Sequence, residues 1–417
     1  MRIDKIEINN FRCFEHLELE LHPQLNVFVG LNGSGKTALL EALKVSLGGV
    51  FLGMNSGWTP NVKISREDVF YSKYSKNLEP KPPAEVSTIG SLNERTIKWK
   101  RTLKSASKFA RTYNKDASEI KIAVEELAQK VKDNEPNAIL PIIAYFTTDR
   151  LCHCNALEFD GTYGSRFRGY DLCMEAMYSF EMGEWYKTQE LSRLQAIRHK
   201  EESDLPELDV VQRAIAHFVP KVLDVYFDFT RETVCLKFED GAHQPIETLS
   251  DGFKNLLVLV SDLTIRCLML NPELGLKANE VQGVVLIDEV DLHLHPSWQR
   301  QVIPKLLKSF PNVQFFITTH SPQVISGVPK ESIFILKDFK VERGSVFTEG
   351  RDSNSLLQDV FEVPELEEQY QKELNDIYAL IDQGDKPQAE QLLAQLLSKR
   401  GEGDREIQRI MSYLEFL

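Results

Sequence analysis

The chain has 417 residues, which fits one core carrying a large insertion, or two domains, better than a single compact unit. A hydrophobic content of 42% supports a substantial core, and a formal net charge of −13 excludes nucleic-acid binding over the whole surface while leaving a local basic patch open. Six cysteines (Cys13, Cys152, Cys154, Cys173, Cys235, Cys267) lack disulfide-framework spacing, no apolar run approaches membrane-spanning length, and Met1–Lys5 begins as a strand rather than a signal region, so the expectation is a soluble cytoplasmic protein without membrane contact.

The first predicted elements are two short strands. Arg2–Asn9 sets Ile3, Ile6 and Ile8 among charged residues, and Leu17–Leu21 alternates Leu with Glu. After a turn at Pro23, the apolar run Leu25–Val29 predicts a buried strand. It leads into Gly30-Leu31-Asn32-Gly33-Ser34-Gly35-Lys36-Thr37, and Ala38–Leu47 then has helical apolar spacing. Gly, four residues, Gly-Lys-Thr between a strand and a helix is the pattern of a phosphate-binding loop. Asn32, Gly33, Ser34 and Gly35 would curl their backbone N–H groups around the phosphates of a nucleotide, helped by the positive end of the helix dipole. Lys36 would sit on the β- and γ-phosphates and the Thr37 hydroxyl on Mg²⁺.

Ile64–Val69 predicts a capped short helix, Thr96–Leu103 a strand and Glu119–Val131 an amphipathic helix. Between Glu94 and Lys121 stand nine basic residues against three acids, with Trp99, Phe109 and Tyr113 interleaved. Such a stretch is either a DNA-backbone contact or a solvated face. Ile139–Phe146 reads as a core strand ending in Thr147-Thr148-Asp149-Arg150, where Arg150 is either near nucleotide or on the surface. Cys152-His153-Cys154 has no second pair at zinc spacing and reads as packing or loop. Residues 155–215 read as a helical insertion. They hold one helix across Asp171–Arg198, with Met174, Met177, Tyr178 and Trp185 at helical spacing, and an acidic connection at Glu201, Glu202, Asp204 and Glu207. Val222–Phe238 then predicts two strands.

Leu249-Ser250-Asp251-Gly252-Phe253-Lys254 places Ser250 to cap a helix over Phe253–Leu270. That helix is apolar almost all round, so it belongs in the core, and its start would offer Ser250 and the Gly252 backbone to a phosphate. Val284–Ile287 is an apolar strand from whose end Asp288 and Glu289 emerge. Asp288 would hold Mg²⁺ opposite Thr37, and Glu289 would polarise the attacking water. His293 and His295 read as structural, since neither is needed to hold Mg²⁺. Val313–Ile317 is a further core strand running into Thr318-Thr319-His320-Ser321-Pro322, and residues 333–349 predict two closing strands. From Ser353 onward the chain is helical and acidic, with amphipathic helices at Ala379–Leu397 and Asp404–Phe416 and a turn around Asp382 and Asp385.

Ile6-Glu7-Ile8-Asn9-Asn10-Phe11-Arg12-Cys13-Phe14, the alternating Leu run and the phosphate loop together resemble the head of the RecF/SMC group of ATP-binding-cassette ATPases, over residues 1–47. Leu249–Lys254 resembles the cassette signature, with Asp251 at its first Gly. Asp288–Pro296 is similar to the carboxylate string of RecF, OLD and related defence ATPases, and Thr318–Pro322 to their switch-histidine motif. The resemblance implies an α/β head: a phosphate-loop mixed sheet with an antiparallel β-subdomain, a helical insertion and a helical C-terminal tail. Its segments would be an N-lobe over 1–150, an insertion over 151–220, a C-lobe over 221–345 and an assembly or partner-binding tail over 346–417. It also implies that His320 senses the γ-phosphate. Ser250 and Gly252 would meet the nucleotide of a second subunit, and Asp291 would lie in the loop crossing that interface. Two heads would sandwich two ATP molecules in a homodimer, or in a higher oligomer built from it. Leu356–Phe361, Ile381–Asp385 and the closing Leu414-Glu415-Phe416 resemble the PtuA family of ATPases from Septu and retron-linked anti-phage systems. That likeness implies an ATPase switch; the tail offers neither the early Glu nor the Asp-x-Asp pair of a nuclease centre, and slow turnover is compatible with Asp251 and the missing Gln. The partner of the switch would be a separate HNH nuclease of the PtuB type, with or without a reverse transcriptase and its DNA. The alternative is a RecF-like DNA-repair ATPase, which the basic stretch favours. A nucleotide-binding scaffold with little turnover is a third reading, resting on Asp251 and on the lack of a sensor Gln after Phe146. SMC proper does not fit, because no sustained heptads separate the motifs.

Overall fold

The computed structural model describes residues 1–54, 56–57, 59–74, 77–150, 165–175, 182–199, 206–344, 346–361, 367–401 and 403–416. The chain forms two units, Met1–Arg351 and Asp352–Leu417. The first is an α/β head.

Its N-terminal strands are β1 (Arg2–Phe11), β2 (Phe14–Glu20) and β3 (Leu25–Val29). Ile3 and Ile6 are an odd number of residues apart, which would place them on opposite faces of a regular strand. A register irregularity between Ile3 and Lys5 absorbs the extra residue, so both side chains are fully buried. After β3 come α1 (Lys36–Leu47), the hairpin β4 (Tyr71–Tyr74) and β5 (Asn77–Pro80), then β6 (Ala84–Leu92), β7 (Arg95–Leu103), α2 (Ser118–Lys132) and β8 (Ile142–Phe146). An antiparallel sheet of order β2-β1-β6-β7 forms one layer. The expected short helix at Ile64–Val69 is a single tight turn, Arg66–Asp68, closed by a reciprocal Ser65–Asp68 capping box.

The middle of the head holds α3 (Met182–His199), α4 (Pro206–Phe218), β9 (Val222–Asp228), β10 (Thr233–Phe238) and β11 (His243–Pro245), with a small sheet of order β11-β10-β9. Of the helix expected across Asp171–Arg198, the segment Met182–His199 is helical and Asp171–Glu175 is not. Asp171–Glu175 follows a segment packed on the core: Arg166–Tyr170 forms a 3₁₀ turn, Gly169 lies against Leu270, the buried Tyr170 hydroxyl donates to the Pro141 carbonyl, and Cys173 and Met174 are buried. Packing against the core has overridden local periodicity here. Met177, Tyr178, Cys152-His153-Cys154 and the acids Glu201, Glu202 and Asp204 lie outside the described residues.

The rest of the head is α5 (Asp251–Leu270), β12 (Gly283–Ile287), α6 (Pro296–Ser309), β13 (Val313–Thr319), the short α7 (Pro322–Ile325), β14 (Ile333–Lys337) and β15 (Lys340–Arg343). The central sheet has the order β15-β14-β3-β13-β12-β8, parallel throughout except for β15. Every residue of β3, β8, β12 and β13 is buried, which is why these strands read as continuous apolar runs rather than alternating ones. The four strands end on one edge, and an open parallel sheet gathers ligands at its carboxyl edge.

The second unit contains α8 (Ser353–Phe361), α9 (Glu368–Asp382), α10 (Lys386–Arg400) and α11 (Arg405–Phe416). The last three share a core that includes Leu374, Ile377, Leu393, Ile407, Ile410 and Leu414. The single helix expected over Ala379–Leu397 is two helices. Gly384 takes φ 75°, and the Asp385 side chain accepts from the Gln388 N–H to restart the chain as α10. The turn expected at Asp382 and Asp385 is therefore present. Among the described residues no helix is long and apolar enough to cross a membrane.

Candidate functional site

The loop between β3 and α1 is built on glycine geometry. Gly30, Gly33 and Gly35 have φ of 153°, 80° and 105°, and a Cβ on Gly30 would stand 2.3 Å from the Leu336 carbonyl oxygen. Gly35 caps α1, so Lys36 and Thr37 open the helix. Asn32 and Gly33 are exposed, whereas Ser34 is buried with its hydroxyl lacking a partner. Lys36 is 6% exposed, and its ammonium donates to the Gly30 and Leu31 carbonyls, both at 3.0 Å. Burial lowers its pKa to about 8, against the opposing pull of Asp288, Glu289 and Asp291.

The carboxylates meet this loop across the sheet. The Thr37 hydroxyl donates to Asp288 Oδ2 at 3.0 Å, and the Thr318 hydroxyl, from the end of β13, donates to Asp288 Oδ1. Thr318 Oγ1 in turn accepts from the Glu289 N–H at 2.8 Å. Glu289 has φ 47°, a left-handed backbone that a side-chain-bearing residue holds only under the constraint of its surroundings. Its Oε1 lies 3.9 Å from His320 Nε2. Desolvation, then the Lys36 charge, lower the His320 pKa, so the ring is neutral at pH 7. The Thr319 hydroxyl donates to Asp291 Oδ1. His295 caps α6, its Nδ1 accepting from the Ser297 N–H, which is the structural use expected of it.

The structure thus brings Lys36, Thr37, Asp288, Glu289, Asp291 and His320 to one edge. Ser250 and Gly252 stand at the start of α5. Ser250 is exposed at the cap position but makes no side-chain cap bond, and the helix begins at Asp251 rather than Phe253. Gly252 is buried, and a Cβ there would lie 2.5 Å from the His293 carbonyl oxygen, so this glycine has a packing reason of its own.

A magnesium nucleotide fits these residues. Ser34 leaves a buried hydroxyl without a partner, Lys36 supplies a desolvated cation, and Thr37 with Asp288 pairs a hydroxyl with a carboxylate, the oxygen donors that Mg²⁺ takes.

Three residues that the sequence motifs did not assign belong to this edge. Thr318 bridges Asp288 and Glu289. Arg150, left between nucleotide and surface, is buried beneath the carboxylates, and Asn255 on α5 binds it. Polar residues directly after an apolar core strand were the available signal for Arg150.

Folding buries Arg101 of the basic stretch and leaves most of its other bases exposed. Arg101 is 1% exposed and donates to the Val45 and Val62 carbonyls and to Asn114 Oδ1. Trp99 is buried on the Ser46 carbonyl, and Lys100 and Lys121 pair with Glu85 and Glu125. Phe109 is exposed, and Lys104 lies over the Tyr113 ring.

A family model described as an AAA domain matches residues 5–216, and a second, described as an AAA domain, putative AbiEii toxin, Type IV TA system, matches 177–326. The Retron Vc95 probable ATPase of Vibrio cholerae serotype O1 biovar El Tor is 24% identical over 387 residues, covering 81% of this chain and 74% of that protein. The Septu protein PtuA of Bacillus mycoides (strain KBAB4) is 24% identical over 353 residues, covering 80% of this chain but only 40% of its own length. The SMC head domain from Thermotoga maritima aligns over 83% of this chain and 100% of that one, at 16% identity and a TM-score of 0.45.

Proposed function

The chain belongs to the AAA-domain family of ATPases, and from that premise we propose that it is the ATP-driven switch subunit of a cytoplasmic anti-phage defence complex that controls a separate, HNH-type nuclease. The observation that carries the ATPase part is the Thr37–Asp288–Thr318 chain of hydrogen bonds, which ties the phosphate loop to the carboxylate strand beside Glu289. Likeness to the Vc95 ATPase and to PtuA over four-fifths of the chain supports the defence part.

In this reading the Gly33–Gly35 backbone and Lys36 bind the β- and γ-phosphates, and Ser34 gains a partner for its buried hydroxyl. Thr37 and Asp288 hold Mg²⁺, which when bound neutralises phosphate charge. Glu289, anchored by Thr318, accepts the proton of the attacking water, and neutral His320 donates to the γ-phosphate. Ser250 and the start of α5 complete the site of a second head, so turnover requires a homodimer, with Asp291 at the interface.

The test is purification of the native complex, with mass spectrometry, nucleic-acid extraction and an ATPase assay. A small nuclease in the complex together with Mg²⁺-dependent turnover supports the reading. No protein partner, with ATP-dependent binding to gapped DNA, would replace it with the DNA-repair reading. The exposed Phe109 among the remaining surface lysines of the 94–121 stretch is the observation on that side.

A further inference from the structure

Arg150 follows β8 and is 3% exposed, yet among the described residues no carboxylate side chain takes its guanidinium. Instead Nη1 donates to the Thr147 carbonyl at 2.9 Å and the Asp288 carbonyl at 2.7 Å, and Nη2 to the Glu289 carbonyl at 2.7 Å. Nε donates to Asn255 Oδ1 at 2.6 Å. Asn255 is 2% exposed, lies about one turn into α5 from Ser250, and donates its own Nδ2 to the Leu292 carbonyl at 2.6 Å. Two side chains therefore join the end of β8, both carboxylate residues, the turn that follows them and the start of α5. The joint meets the backbone at Glu289, where φ is 47°. A conformation of that kind persists only where its surroundings over-determine it. A planar fork with five donors can reach several carbonyls at once, which a lysine cannot.

We propose that Arg150, working through Asn255, is a positioning residue: it fixes the Glu289 turn and makes that turn move with the start of α5. Its consequence for hydrolysis rests on the ATPase reading above. Engagement of Ser250 and Asp251 by a ligand would then reset Glu289, some of whose geometry is held from the signature helix rather than from its own strand. Burial lowers the Arg150 pKa to about 10, and the nearby carboxylates of Asp288, Asp291 and Glu289 pull the other way.

The experiment uses the full chain with Arg150→Met, Arg150→Lys and Asn255→Leu, and two readouts. The first is hydrogen exchange of the ligand-free protein over residues 286–294, whose Glu289, Val290, Leu292 and Leu294 amides are bonded within or beside the turn. The second is kcat set against MgATP affinity. Arg150→Met should speed exchange in that segment at least tenfold and leave residues 30–37 unchanged. It should lower kcat on the order of 100-fold while Kd for MgATP stays within about threefold. Arg150→Lys should recover part of the kcat. Asn255→Leu, which keeps the three carbonyl bonds of Arg150, should lower kcat about tenfold. Unchanged exchange in Arg150→Met, or a loss of turnover that merely follows lost nucleotide affinity, overturns the proposal. If Arg150→Met does not fold, normal exchange and kcat in Asn255→Leu overturn it. A wild-type chain that hydrolyses no ATP sinks the ATPase reading instead, and exchange in the ligand-free protein still decides the brace.

Discussion

Lys36 shows how burial prepares a side chain for its ligand. Its ammonium has lost most of its water, and the cost appears as a pKa lowered from 10.5 to about 8. A phosphate on Lys36 favours the charged form and raises that pKa again. Below about pH 8 the amine is protonated free and bound, so this group adds no pH dependence to binding. Above about 8 the free protein loses the proton, and a phosphate complex would keep it to higher pH. Binding at pH 9 should therefore take up on the order of one proton, and Kd should rise roughly tenfold per pH unit above 8. Calorimetry of MgATP at pH 9 in two buffers of different ionisation enthalpy measures this. Equal heats would remove Lys36 from the phosphates, and Lys36→Ala should abolish binding altogether. Thr318 is the second residue-scale test. Thr318→Val keeps the shape but strips partners from an Asp288 oxygen and from the Glu289 N–H. Leaving buried polar groups unpaired costs roughly 1–3 kcal/mol. Denaturant unfolding should register that loss together with a fall in turnover, and a variant with wild-type stability and rate would show the bridge to be idle.

At the scale of elements, the start of α5 sets two effects against each other. Gly→Ala in a helix ordinarily gains about 1 kcal/mol. At Gly252 the new Cβ would stand 2.5 Å from the His293 carbonyl oxygen, and that carbonyl belongs to a turn braced by Asn255. Overpacking against backbone costs about 1–3 kcal/mol, so Gly252→Ala should destabilise on balance. A higher unfolding midpoint for Gly252→Ala would mean the turn yields freely. The same helix shows what a sequence discloses. The phosphate loop, Asp288–Glu289 and the core strands are legible because short spacings tie each to an apolar run. Arg150 is not, because its acceptors are carbonyls that meet only once β8 and β12 lie side by side. Thr318 stands in full view beside His320, but its role depends on the β12–β13 register. The turn at Gly384 is legible from Ile381–Asp385, but the helix read over Ala379–Leu397 runs across it because apolar spacing continues on both sides. Where tertiary packing competes with local period, as at Met174, the period loses.

For the whole molecule, charge bears on assembly. Residues 352–417 hold 15 of the 62 acids and only 6 of the 49 bases, so most of the negative excess lies in the second unit. The head, close to neutral over its own residues, meets little net repulsion from another head. Each proposed site would also be incomplete alone: Lys36, Thr37, Asp288, Glu289 and His320 sit on the sheet edge, whereas the exposed Ser250 at the start of α5 would face the phosphate of a second head. Nucleotide would thus act as the adhesive between two heads, and hydrolysis would release them. Glu289→Gln keeps the backbone bonds to Thr318 and Arg150 while removing the carboxylate that takes the proton. It should bind MgATP with near wild-type affinity, lower turnover by 10²-fold or more, and accumulate as an ATP-bound dimer. Sedimentation velocity with and without MgATP tests this directly. A mass that doubles with ATP in Glu289→Gln, but only transiently in the wild type, supports the sandwich. A monomer at saturating ATP would confine Ser250 and Gly252 to packing, and normal turnover by this variant would remove Glu289 as the base.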